Sequence, residues 1–208
     1  MGRYRGPSCR LCRREGMKLF LKGTKCTGPK CPFDKRGYAP GQHGQAHTRL
    51  SDYGVQLREK QKVKRLYGVF ERPFKFVFQK AQRAKGVTGE KLLELMERRL
   101  DNTIYRLGWA TSRKEARQIV RHRAIRVNGH VVNVPSFVVK VGDLLEPATD
   151  ARAIAQVKRM IEITKDREKP TWLTVADGVL RATVARLPAK SDIALPIQEQ
   201  LIVELYSK

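Results

Sequence analysis

The chain has 208 residues, 41% of them apolar, and carries 43 lysines and arginines against 20 acids, a formal net charge of +23. That apolar fraction excludes a wholly disordered basic tail. The charge excess needs a polyanion to relieve self-repulsion in a compact state, which favours nucleic acid over an acidic membrane surface.

No apolar run reaches the ~18 residues of a membrane span. No apolar stretch follows Arg3, Arg5 and Arg10 as a secretion signal requires, so a cytoplasmic location is expected. The charge is uneven: residues 1–50 hold twelve cations and two acids, and 51–100 hold thirteen and six. The rest, at eight against five and ten against seven, is nearer an ordinary soluble domain.

Residues 1–50 lack a helical or alternating period and read as an irregular basic extension that something other than a core must hold. Its four cysteines, Cys9, Cys12, Cys26 and Cys31, form two close pairs separated by a loop. Four thiolates at that spacing converge tetrahedrally on one metal ion, for which zinc is the first choice and an iron–sulfur cluster the alternative. Disulfides are disfavoured in a reducing compartment. A catalytic cysteine needs one thiol beside one histidine, such as His43 or His47, rather than a set of four.

Ser51 is placed to cap a helix to about Tyr67, closed by Gly68. Phe70, Phe74, Val77, Phe78 and Ala81 space a second helix that tolerates Pro73 in its first turn. Thr88 opens a third, with Leu92, Leu93, Met96 and Leu100 on one face. Within the first helix, the cations from Arg58 to Arg65 do not pair with acids at i,i+4, which favours phosphate binding.

Leu100, Ile104 and Leu107 continue a short helix, and Ser112 and Glu115 form a capping box for the next. That helix sets Ala116, Ile119 and Val120 against Arg113, Lys114, Arg117 and Arg121 on the opposite side. Asn128-Gly129 is the turn of a hairpin between 125–127 and 131–134. Further strands are expected over 137–141, 172–175, 180–187 and 201–206, with a helix over 152–164 and a charged surface loop over 165–169. No phosphate loop, nucleophile elbow or metalloprotease motif is present, and no enzymatic activity is expected.

RLDNTIYRLG (99–108), SRKEARQIV (112–120) and IRVNGHVVNVPSFVVKVGD (125–143) resemble the RNA-binding module named after the fourth protein of the small ribosomal subunit. RNA-acting enzymes borrow that module, but only about 60 residues follow it, too few for a catalytic domain. YAPGQHG (38–44), LREKQKVKRLYGV (57–69) and ALPIQEQLIVELYSK (194–208) resemble the bacterial ribosomal family itself, and the four cysteines resemble its zinc-knuckle branch. A DNA-binding zinc protein is the remaining competitor.

The resemblance implies an α+β fold in three parts. A basic extension with a metal knuckle (1–50) precedes a helical lobe (51–98, joined by 188–208), and a helix–helix–hairpin module with a mixed continuation spans 99–187. It implies direct binding of small-subunit ribosomal RNA at a multi-helix junction, early in assembly. It also implies neighbourhood to the fifth small-subunit protein, proximity to the path by which mRNA enters, and a part in translational accuracy. Some members repress their own operon mRNA.

Candidate RNA contacts fall on three platforms. The extension offers Arg3, Arg13, Arg14, Lys22, Arg36, Gln42, His43 and Arg49; the helical lobe offers Arg58, Lys60, Lys62, Lys64 and Arg65. The module offers Arg113, Lys114, Arg117, Arg121, His122, Arg123, Arg126, Asn128 and Lys140. Two departures from the family pattern stand out. Arg123 occupies the place of a glycine that stops a helix in the left-handed conformation, and Pro73 removes one backbone donor.

Overall fold

The computed structural model describes residues 2–46, 49–176, 180–193 and 196–207. His47, considered above as a possible base, lies outside them. No helix among the described residues is long and apolar enough to cross a membrane. The chain divides into two compact units, residues 1–92 with 195–208, and residues 93–194.

The first unit begins with three short helices, α1 (Ser8–Glu15), α2 (Thr24–Thr27) and α3 (Pro32–Lys35). The extension is therefore more ordered than its composition suggests. Helix α1 ends at Gly16, whose φ of 65° lets its N–H and that of Met17 turn back to the carbonyls of Arg13 and Cys12. The chain then folds Leu19 and Leu21 onto Cys12, with Leu11, Met17 and Phe33 packed around them. This small core was not expected, because its apolar residues are scattered among glycines and lysines.

Helix α4 (Asp52–Leu66) is capped by the Ser51 hydroxyl, which accepts from the Gly54 N–H. Helix α5 (Glu71–Arg83) carries Pro73 in its first turn, where the missing donor has no intrahelical partner to lose. Helix α6 (Thr88–Glu97) leads into the second unit. The segment expected as a strand over 201–206 is instead part of helix α10 (Glu199–Ser207). It docks in the first unit: Gln56 donates to Glu204 at 2.8 Å, and the Tyr206 ring stacks on Phe78 with centroids 4.4 Å apart. A Cβ on Gly89 would stand 2.4 Å from the Glu199 side chain, so only glycine allows that approach of α6 and α10.

In the second unit, α7 (Leu100–Arg106), α8 (Arg113–Arg121) and α9 (Ala151–Ile163) share one core with an antiparallel sheet. Its strands are β1 (Ile125–Val127), β2 (His130–Val131), β3 (Leu144–Pro147), β4 (Leu173–Val175) and β5 (Ala182–Val184), in the order β2-β1-β3-β5-β4. Arg126 faces Val131 and Glu146, and Leu145 pairs with Val127 and Ala182. Trp109, Trp172, Ile104 and Ile119 fill the core. The hairpin turns where expected, Asn128 and Gly129 having φ of 50° and 80°, but β2 is shorter than 131–134. Segment 137–141 forms only a bridge, Val138 to Arg99, because its backbone bonds go to the entrance of α7.

Candidate nucleic-acid interface

The four cysteines are free thiols, and Cys12, Cys26 and Cys31 are buried. Burial pushes the Cys12 thiol up, and Cys9, Cys26 and Cys31 act on it electrostatically, so the four share one neighbourhood. The Lys22 N–H donates to Cys26 Sγ at 3.3 Å, and a backbone bond from Leu19 reaches Cys12. Soft sulfur donors supported by backbone N–H groups suit zinc chemically. Among the described residues, however, no group of three or more His, Cys, Asp or Glu is already arranged to hold an ion.

The cations of α4 make no i,i+4 pair among the described residues, as the sequence indicates, yet they do not stand free. Most of their partners come from other segments. Arg58 and Arg65 both reach Glu15 of α1, Arg58 at 3.6 Å. Lys60 and Lys64 grip the two oxygens of Glu71 at 2.7 and 2.9 Å, and Lys62 pairs with Glu59 at 2.6 Å. Burial pushes the Glu71 carboxyl up, but hydrogen bonds from Lys60, Lys64 and Tyr206 outweigh it and bring it down to about 2. Burial raises Glu15 in spite of Arg65 and Arg58. These cations therefore hold α1, α4, α5 and α10 together.

Helix α8 divides its cations by burial. Its cap is half of the expected box: Ser112 Oγ accepts from the Glu115 N–H, while the Glu115 carboxylate reaches the Thr111 N–H at 2.7 Å. Arg117, 9% exposed, lies 3.3 Å from Asp101, which also takes Arg99 through two bonds. Arg113 donates to Asn102 at 2.8 Å and lies over the Tyr105 ring. Lys114 is half-buried, and Arg121, His122 and Arg123 are exposed at the end of the helix. Arg123 adopts the left-handed conformation, φ 62°, where the family pattern has glycine.

Two hairpin candidates serve the fold. Arg126 donates to the Gly129 carbonyl at 2.8 Å. The Asn128 amide bridges Asp143 and the Leu144 N–H, both at 2.8 Å. Lys140 is exposed. In the first unit Arg3, Arg14, Lys22, Arg36, Gln42, His43 and Arg49 are exposed, whereas Arg13 donates to the Tyr38 carbonyl at 3.0 Å.

Sequence reasoning missed two features. Arg167, expected in a plain surface loop, donates to the carbonyls of Tyr105, Ala110 and Thr111 at 3.0, 2.9 and 2.9 Å and lies over the Tyr105 ring, as Arg113 does. Its partners lie more than fifty residues away, beyond any local pattern. The second is the outward row of cations on α5, present in the helical spacing but overshadowed by the stronger apolar signal of the opposite face.

A family model described as ribosomal protein S4/S9 N-terminal domain matches residues 3–97, and one described as S4 domain matches residues 98–145. Along its whole length the chain is 56% identical to the small ribosomal subunit protein uS4 of Thermoanaerobacter sp. (strain X514), with all of both chains covered. The chain belongs to the ribosomal protein S4 family. Proteins of the same name from Geotalea uraniireducens (strain Rf4) and Thermodesulfovibrio yellowstonii are 57% and 54% identical, again over both full lengths. Within this S4-family chain, the helix–helix–hairpin built from α7, α8, β1 and β2 falls inside the matched S4 domain.

Proposed function

We propose that the chain is a structural constituent of the small ribosomal subunit that binds its ribosomal RNA directly, and is not an enzyme. The observation that carries this reading is the full-length match to proteins named for that subunit. The net charge of +23 supports it, since RNA phosphates relieve the self-repulsion. RNA junctions are recognised by shape, phosphates and 2′-hydroxyls rather than through the deep major groove. The exposed end of α8, with Arg121 and Arg123, and the cations of the extension suit such contacts.

The finer reading places the protein at a multi-helix junction early in assembly, beside the fifth small-subunit protein and the path of incoming mRNA, with influence on accuracy. Its location is then the cytoplasmic ribosome. Gel-shift titration at moderate salt tests the RNA assignment: small-subunit RNA should bind more tightly than transfer RNA or duplex DNA. Equal affinity for all three would contradict it.

The knuckle reading rests on the thiol chemistry. Cys9, Cys12, Cys26 and Cys31 would hold one zinc ion, which supplies a four-way cross-link fixing the loops around the small Leu19–Leu21 core. Because burial raises Cys12 and Cys26, the ion must displace protons from them, so its retention should weaken as pH falls. Elemental analysis of anaerobically purified protein should give one zinc per chain and no visible absorption band. A brown chromophore would assign an iron–sulfur cluster instead.

A further inference from the structure

Helix α5 turns Phe74, Phe78 and Ala81 inward and leaves a stripe of Arg72, Lys75, Phe76, Lys80 and Arg83 exposed. The stripe contains no acid, because Glu71 at the head of the helix is engaged by Lys60, Lys64 and Tyr206. Arg72, Lys75 and Arg83 make no ion pair with any described residue. Phe76 is 57% exposed in the middle of this face, with the Lys80 ammonium 4.7 Å from its ring centre. A single exposed phenylalanine is ordinary. What sets this one apart is its frame: Arg72 four residues before it and Lys80 four after are its neighbours on the helix surface, and Arg83 seven after continues the same face two turns on.

We propose that α5 carries a base-stacking site, in which an unpaired RNA base lies on the Phe76 ring and the flanking phosphates lie on Arg72, Lys80 and Arg83. Proteins take hold of single-stranded RNA by this pairing of an aromatic platform with a cationic track. An acidic protein surface would satisfy the cations but would leave the ring without a use, whereas a nucleotide matches both. The inference rests on the RNA-binding reading above and adds a site that lies outside the S4 domain.

The test uses the full chain with small-subunit RNA and with poly(U). Stacking on an aromatic contributes ~1–3 kcal/mol per base, so Phe76→Ala should weaken binding by about 5–150-fold. The slope of log K against log salt should stay unchanged, since every cation that meets a phosphate is retained. Phe76→Trp should preserve affinity, and poly(U) should quench its new exposed indole; Trp109 and Trp172 are buried and contribute a constant background. Circular dichroism checks that both variants fold. Affinity of Phe76→Ala within twofold of the unaltered chain, or an unquenched Phe76→Trp, overturns the stacking site. In that case an unaltered chain that still prefers small-subunit RNA leaves the RNA-binding reading standing. Loss of that preference overturns both.

Discussion

Helices α4 and α5 follow each other in sequence and are similarly rich in lysine and arginine, yet their cations stand in opposite surroundings. On α4, Arg58, Lys60, Lys62, Lys64 and Arg65 each meet a carboxylate of this chain, from Glu15, Glu59 or Glu71. On α5, Arg72, Lys75 and Arg83 meet none among the described residues and are exposed. The difference teaches that a basic run does not identify an RNA face. A phosphate must compete with any acid already in place, and where the acid is buried, like Glu15 with its side chain 1% exposed, the cation is a structural part. Arg117 of α8 belongs with α4 in this respect, and Arg121 with α5.

The sharpest way to break the structural side of the comparison is Asp101→Ala. It leaves Arg99 and Arg117, both buried, without their shared carboxylate. Removing one partner of a buried pair costs about 3–5 kcal/mol, to be read from urea unfolding. A loss below about 1 kcal/mol would show that these guanidiniums are solvated.

A smaller effect is expected from Glu71. Its folded carboxyl titrates near 2 against 4.5 for the ordinary group. The charged form is thus favoured by folding: the contribution is complete above about 4.5 and fades as pH falls toward 2. Glu71→Gln should lower stability at neutral pH by about 1–2 kcal/mol. It should also flatten the fall in melting temperature across that acid window. An unchanged acid profile would mean that Lys60 and Lys64 do not depend on this carboxylate.

Much of the second unit was legible in the sequence because its signals are local. Ser112 caps as expected, as Ser51 does in the first unit, Asn128-Gly129 turns the hairpin, and the glycine missing at position 123 shows itself as a left-handed arginine. Apart from the α5 cation row, which lay in the helical spacing, and the i,i+3 pair of Lys62 with Glu59, the main failures are long-range. Leu201–Tyr206 has an apolar run too short for periodicity to separate strand from helix, and its partners Gln56 and Phe78, over a hundred residues away, decide it. The ion pairs of α4 join Glu15 to Arg65 across fifty positions, invisible to any i,i+4 rule. Arg167 escapes a local reading for the same reason. At the candidate site the sequence offered residue types suited to phosphate, while burial and ion pairing separate those engaged within the chain from those left exposed.

The direct measurement of that sorting is the salt dependence of binding to small-subunit RNA for two double variants. Lys62→Gln with Lys64→Gln neutralises paired cations of α4, and Arg72→Gln with Arg83→Gln neutralises exposed cations of α5. Each phosphate that no longer meets a cation lowers the slope of log K against log salt by about 0.7–0.9, so the α5 variant should flatten it by about 1.5. The α4 variant should leave the slope close to that of the unaltered chain. Equal flattening by both, or a larger effect from α4, would contradict the account, because it would mean that bulk charge rather than unpaired charge holds the RNA.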